Sequence, residues 1–175
     1  LEKTKYYDRW QYDYRLYQPI INFARDNKIP LIALNLPSEI TKKVSKEGLA
    51  ALSAEEKQLI PESIDREVPG YRRRIESVFH GHPGMEKRNI DFFIEAQLLW
   101  DEGMAEQAAK YLNENTSKKM VILAGAGHIM HGSGIPIRLE RRINEGVATV
   151  LTGGGMDVSS KAADYILFSE EKNLP

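Results

Sequence analysis

The 175-residue sequence contains no cysteine. This absence excludes disulfides, thiolate metal sites and cysteine nucleophiles. No apolar run approaches the roughly 20 residues that a membrane-spanning helix needs, and the first residues lack the pattern of a signal peptide. The sequence therefore predicts neither a membrane span nor a disulfide scaffold.

The sequence also lacks an excess of charge of either sign. The chain has 24 basic and 25 acidic residues and a formal net charge of -1. Nucleic-acid binding is therefore not predicted, because it usually requires an excess of basic residues. The length suits one domain that can bury a core without disulfides or a structural metal.

Helical and strand patterns alternate along the chain. Helices are predicted at Thr4–Asn27 with a kink or restart at Pro19, Ser38–Lys46, after the capping residue Ser53, Tyr71–Phe79, Lys87–Asn115 and Pro136–Asn144. Strands are predicted at Pro30–Asn35, Met120–Ala124, Val147–Leu151 and Tyr165–Phe168. Strands separated by helices predict an α/β fold: a small, mostly parallel sheet flanked by helices.

The longest predicted helix carries polar side chains where its apolar stripe should be continuous. At about 100° per residue, Gln97 and Asp101 fall at the centre of that stripe. A buried carboxylate needs a cation, a metal, backbone donors or a ligand pocket. Asp101 is therefore either part of a site or part of a structural network that locks the helix to the sheet.

A glycine-rich turn with histidines follows the predicted strand Met120–Ala124. Ligands in open α/β sheets bind beyond the carboxyl ends of strands, and this rule places His128 at a site close to Asp101. The alternative is that His128 only caps the turn. His131 lies in a Gly/Ser loop, where we expect it to be exposed to solvent.

Asp101 and Glu102 could supply a metal ligand or a general base in combination with His128. Such a combination would suit a metal-dependent hydrolase with His128 as a metal ligand, which is one of the two interpretations that stay open. A hydrolytic metal site normally has three protein ligands, and the sequence shows no clear trio.

A cluster of basic and aromatic residues surrounds the predicted helix that begins at Tyr71. Arg72–Arg74 follow Tyr71 directly, and His80, His82 and Lys87 come after the helix. The alternative to a binding site is a solvated basic face. The aromatic stripe near the start of the chain is predicted to pack a helix on a sheet; its members are Tyr6, Trp10, Tyr14 and Tyr17.

Several segments in order resemble the ChaN-like proteins, the haem-binding uptake branch of the Tiki superfamily. They are Trp10–Pro19, Ala33–Pro37, Gly48–Leu52, Ala96–Ala105 and Leu123–Arg138. The resemblance runs from about Trp10 to about Leu151. It implies an iron-regulated, often lipid-anchored bacterial protein of the periplasm or outer membrane. It also implies haem held at a homodimer interface, with a tyrosine on iron and histidine and lysine at the propionates.

The resemblance leads to specific residue predictions. Tyrosinate is a hard ligand for ferric iron, and the unperturbed tyrosine pKa of about 10 leaves little phenolate at neutral pH. The neighbouring arginines are expected to lower the pKa of Tyr71, so Tyr71 is predicted to bind iron, with His82 and Lys87 toward the propionates. The alternative from the same superfamily is the metal-dependent hydrolase with Asp101, Glu102 and His128.

The resemblance also predicts the domain organisation. Residues 1–155 are expected to form a ChaN-like domain that lacks its first strand, which in the family carries a Gly-Glu-x-His motif. Nothing in the sequence matches that motif. Residues 156–175 are expected to form a strand and a tail that lead toward a following module.

Overall fold

The computed structural model describes residues 6–9, 12–81, 83–153 and 158–168. The chain divides into two compact units, residues 1–33 and residues 34–175. The first unit contains helices α1 (Tyr6–Arg9) and α2 (Tyr14–Asp26). Asp13 caps α2 by accepting a hydrogen bond from the Arg15 backbone N–H at 2.9 Å. The predicted helix is therefore interrupted before Tyr14, and α2 continues through Pro19.

The second unit holds the remaining helices and strands. They are α3 (Ser38–Glu47), α4 (Ala54–Lys57), α5 (Tyr71–Gly81), α6 (Ile90–Glu114), α7 (Ile135–Glu140), β1 (Val150–Gly153) and β2 (Tyr165–Phe168). The predicted capping box is confirmed at α4, where Ser53 and Glu56 bond each other's backbone N–H groups. Helix α7 ends four residues earlier than predicted. No helix among the described residues is long and apolar enough to cross a membrane.

Helix α6 is the centre of the second unit, because side chains of α6 belong to each of the three apolar clusters of that unit. Leu99 packs with α3, Leu98 packs with α5, and Ala105 packs with α7. The helix is buried on more than the single predicted stripe. Gly103 allows one close contact, since a Cβ there would lie 2.5 Å from Leu36 Cγ.

The sheet is smaller than predicted. Within the described residues, β1 and β2 form one parallel pair, with Val150 opposite Tyr165. The mixed α/β class and the parallel pairing are confirmed. The strands predicted at Pro30–Asn35 and Met120–Ala124 are wrong, since neither segment joins a ladder in the described structure.

The segment Met120–Ala124 shows why its pattern is typical of a strand. Met120, Ile122 and Ala124 pack against the cluster between α6 and α7, whereas Val121 and Leu123 face solvent. Its side chains alternate between two faces, as they do in a strand. A strand also needs a hydrogen-bonded neighbour, which an apolar run alone does not specify.

Candidate functional site

Asp101 lies in the middle of α6 with 1% of its surface exposed. Its Oδ2 accepts a hydrogen bond from the Tyr71 hydroxyl at 2.7 Å, and its Oδ1 accepts one from His128 Nδ1 at 2.6 Å. These bonds join α5, α6 and the turn after Gly125. The predicted burial of Asp101 and its contact with His128 are both confirmed.

His128 ends a short 3-10 turn, Ala126–His128, in which its backbone N–H donates to the Gly125 carbonyl at 2.9 Å. Its side chain is 27% exposed. Asp101 is an acceptor when ionised, so the ring donates from Nδ1 and keeps a lone pair on Nε2. The result is an imidazole whose Nδ1 is held by a buried carboxylate and whose side chain is partly exposed.

Gly134 allows the His128 turn to lie close to α6. A Cβ at this position would be 2.2 Å from the His128 carbonyl oxygen and 3.1 Å from Asp101 Oδ2. The first distance is shorter than a carbon atom tolerates, and the second is a tight contact. A glycine is therefore required where the loop passes the buried carboxylate.

Tyr71 is only 1% exposed, and Arg138 lies over its ring with the guanidinium carbon 4.4 Å from the centroid. Burial raises the pKa of the Tyr71 hydroxyl far above its ordinary value, and the charge and hydrogen bond of Asp101 raise it further. Arg138 and Arg74 lower it by less. The expectation of a lowered pKa is therefore wrong.

Arg74 fastens the glycine-rich turn to α5. Its Nε donates to Ser133 Oγ at 3.0 Å, and its Nη1 donates to the Gly127 carbonyl. Its Nη2 is buried and has no hydrogen-bond partner among the described residues. The basic run of α5 therefore contributes one side chain that holds the His128 loop in place.

Glu102 is fully buried and belongs to a different network. Its carboxylate accepts hydrogen bonds from Arg138 at 3.1 Å, from Arg141 and Arg142 at 2.6 Å each, and from the Asp65 backbone N–H at 2.8 Å. These donors occupy its lone pairs. The predicted grouping of Glu102 with His128 is therefore not found, because the arginines hold this carboxylate elsewhere.

The other predicted contact residues that the structure describes form no hydrogen bond with this network. His82 lies outside the described residues. Lys87 and His80 are exposed. Arg72 pairs with Glu76 and Asp91, each at 2.7 Å, on the surface of α5. The roles predicted for Tyr71, His82 and Lys87 at haem remain predictions.

A metal centre built only from protein ligands is not evident in the described part of the chain. No three His, Cys, Asp or Glu side chains there are grouped in a way that could hold an ion. Among the described residues that bond Asp101, His128 is the one whose side chain is partly exposed. Such a donor suits a metal whose other ligands come from a cofactor.

Comparison with known proteins identifies the family. Residues 1–139 match the family described as haem-binding uptake, Tiki superfamily, ChaN. This match covers most of the chain, and the protein belongs to that family. A haem-binding role in a general sense follows from this membership.

One curated relative is a plant protein. The chain is 25% identical over 150 residues to Protein RETICULATA-RELATED 5, chloroplastic, of Arabidopsis thaliana. The aligned region covers 77% of this chain and 19% of the relative, so the chain spans about a fifth of that protein's length. No solved structure gives a significant match.

Proposed function

We propose that this protein binds haem and that His128 would be a protein ligand of the haem iron. One observation carries this proposal: the 2.6 Å bond from His128 Nδ1 to the buried Asp101 orients a ring that is 27% exposed, and this bond does not use Nε2. Histidines that bind iron commonly donate their second ring N–H to a carboxylate, which fixes the tautomer and raises the basicity of the ligand. Haem supplies the remaining iron ligands from its own macrocycle.

The structure favours His128 over Tyr71 for this role. The Tyr71 oxygen is buried and donates to Asp101, so iron could reach it only after that bond broke and the side chain moved. Its raised pKa also opposes phenolate formation. Lys87 is exposed and forms no ion pair with another described residue, which leaves it free for a haem propionate.

Haem titration of purified protein, followed by visible absorption, tests the proposal. We expect wild type to give a saturable Soret band, and His128→Ala to lose the histidine-ligated spectrum and at least about tenfold in affinity. His80→Ala is the matched control, because His80 is exposed and does not bond Asp101. An unchanged spectrum in His128→Ala, together with a lost band in Tyr71→Phe, would transfer the ligand role to Tyr71.

The homodimer belongs to the same proposal. Part of a haem bound at the partly exposed His128 would remain in contact with solvent, and a second protomer could cover it. Sedimentation of wild type should then show a monomer without haem and a dimer with it. The shift should be absent in His128→Ala. A single species under both conditions would remove the dimer from the proposal.

The cellular role is proposed as haem or iron uptake. The resemblance supports the bacterial cell envelope, whereas the name of the plant relative supports a chloroplast. We propose that the protein is located in the bacterial cell envelope. A chloroplast location would overturn this proposal. Fractionation of source cells, followed by immunoblotting, decides between the two locations.

A further inference from the structure

One face of residues 120–124 is apolar and uncovered. The inner side chains of this segment pack against the cluster between α6 and α7, whereas Val121 is 88% exposed and Leu123 is 56% exposed. The value for Val121 is the highest of any large apolar side chain that the structure describes. A single exposed apolar residue is ordinary, but two at alternate positions of one segment form an apolar face that nothing covers.

The backbone polar groups of the same segment have no partners. No N–H or C=O group of residues 120–124 forms a hydrogen bond with another described residue. In a strand, the N–H groups of alternate residues lie along the same edge. An edge with unpaired N–H and C=O groups is a template for pairing with another strand. The segment therefore has the side-chain pattern of a strand but lacks a neighbour.

The helices hold this segment in place. Met120, Ile122 and Ala124 pack against the cluster that α6 and α7 form. A surface that is already ordered loses little conformational freedom when a partner binds. The length of the segment is also close to that of an ordinary strand, about five to six residues. A peptide could therefore pair with it along the whole segment.

Two lysines indicate the charge of such a partner. Lys118 and Lys119 directly precede the segment, are exposed, and form no ion pair with another described residue. Residues 125–127, which follow the segment, carry no charge. Acidic groups on a partner would therefore meet cations at one end of the segment only. Antiparallel pairing is slightly more stable per residue than parallel pairing, and it places the C-terminal end of the partner beside the lysines.

We propose that residues 120–124 bind a peptide segment of another protein as an added antiparallel strand. The added strand has apolar side chains beside Val121 and Leu123, where cross-strand pairs stabilise a sheet. Its C-terminal end carries acidic residues, which pair with Lys118 and Lys119. This surface does not depend on the proposed haem site.

Two synthetic heptapeptides test the assignment. One is acetyl-Thr-Val-Thr-Val-Thr-Glu-Glu-amide, and the other has the same residues in reverse order. In ¹⁵N-labelled protein, we expect the first peptide to give saturable shifts at the amides of Val121, Ile122 and Leu123. Hydrogen exchange of these amides should slow at alternate residues only, because one edge of the segment faces the peptide. The reversed peptide should bind about fivefold more weakly, since its glutamates do not reach the lysines.

Two N-methylated forms of the first peptide separate backbone pairing from side-chain contact. One carries N-methyl groups on its second and fourth residues, and the other carries them on its third and fifth. Only one of the two lacks N–H groups on the edge that faces the protein. That form should bind at least about tenfold more weakly, whereas the other should keep most of its affinity.

Substitution of the lysines tests the charge of the partner. The double variant Lys118→Gln, Lys119→Gln should weaken binding of the first peptide about fivefold and leave the reversed peptide unchanged. Lys110→Gln, at an exposed lysine of α6, is the matched control and should change neither affinity.

The proposal is overturned if the amides of residues 120–124 show no saturable shift, if both N-methylated forms bind alike, or if the double variant weakens both peptides equally. It is also overturned if exchange at these amides slows as protein concentration rises without peptide, because a second copy would then cover the segment. Haem-free protein and His128→Ala should both bind the first peptide. A failure of the proposed haem binding would therefore leave this surface standing.

Discussion

Asp101 and Glu102 are neighbours on α6 and are equally buried, with 1% and 0% of their surfaces exposed, yet their partners differ in kind. Asp101 accepts from a phenol and an imidazole, whereas Glu102 accepts from three guanidinium groups and a backbone N–H. Arginine is always charged, whereas imidazole changes its charge near neutral pH. The extent of burial therefore does not distinguish a carboxylate of a functional site from a structural one. The chemical nature of its hydrogen-bond donors does.

Arg138 connects the two networks. Its Nε donates to Glu102, its Nη1 donates to the Gly134 carbonyl at 3.0 Å, and its guanidinium lies over the Tyr71 ring. This side chain is fully buried. The Glu102 network thus holds the helix and loop on which the Asp101 network depends. The first network reaches the surface through Arg141, and the second reaches it through His128.

The largest predicted effect is that of Glu102→Gln. The substitution leaves the buried Arg138 without its anionic partner, and removal of one member of a buried ion pair costs about 3–5 kcal/mol. Urea unfolding should therefore show a loss of this size. Glu114→Gln, at the exposed end of the same helix, should change stability by less than about 0.5 kcal/mol. A loss below about 1 kcal/mol for Glu102→Gln would contradict a structural role.

Asp101→Asn should have a smaller effect on stability and a distinct effect on binding. The amide directs an N–H group toward one of two donors, so one hydrogen bond is lost at a cost of about 1–3 kcal/mol. The ring of His128 is then no longer held in one tautomer. Haem affinity in the folded variant should fall by about 10–100-fold.

Glu102→Gln provides the control for this prediction. At a urea concentration where both variants remain folded, Glu102→Gln should keep haem affinity close to that of wild type. If the two variants lost affinity equally, the division between site and scaffold would fail.

Part of this comparison was predictable from the sequence. The helical period alone predicts that Asp101 is buried, and the position of His128 after an apolar segment predicts their contact. The partners of Glu102 were not predictable, since Arg138 and Arg142 lie 36 and 40 residues away and form no pattern with it. Long-range ion pairs have no periodic signal in a sequence.

Tyr71 shows a second limit of prediction from the sequence. The adjacent arginines predict a lowered pKa, but consecutive helical residues point about 100° apart. Arg72 therefore lies on the surface with Glu76 and Asp91, while Tyr71 faces Asp101 in the core. Proximity along the chain was a poor guide to the charge that this hydroxyl meets.

The smallest predicted effect is that of Tyr71→Phe, and it depends on pH. At pH 7 the variant loses one hydrogen bond to Asp101, and we expect it to be less stable by about 1–2 kcal/mol. Tyr165→Phe removes an exposed hydroxyl and should change stability at pH 7 by less than about 0.5 kcal/mol.

The sign of the pH effect follows from the raised pKa of Tyr71. Below about pH 10 this tyrosine is neutral in both the folded and the unfolded chain, so its contribution to stability is fully present. Above about pH 10 the unfolded chain releases the proton and the folded chain keeps it, so that contribution falls by about 1.4 kcal/mol per pH unit. Phenylalanine has no such proton, so the stability of Tyr71→Phe lacks this dependence on pH.

Urea unfolding at pH 7 and pH 11 should therefore show that the difference in stability between wild type and Tyr71→Phe narrows by about 1.4 kcal/mol. A gap that stays constant or widens would mean that Tyr71 ionises readily in the folded protein, which would restore it as a candidate iron ligand in place of His128.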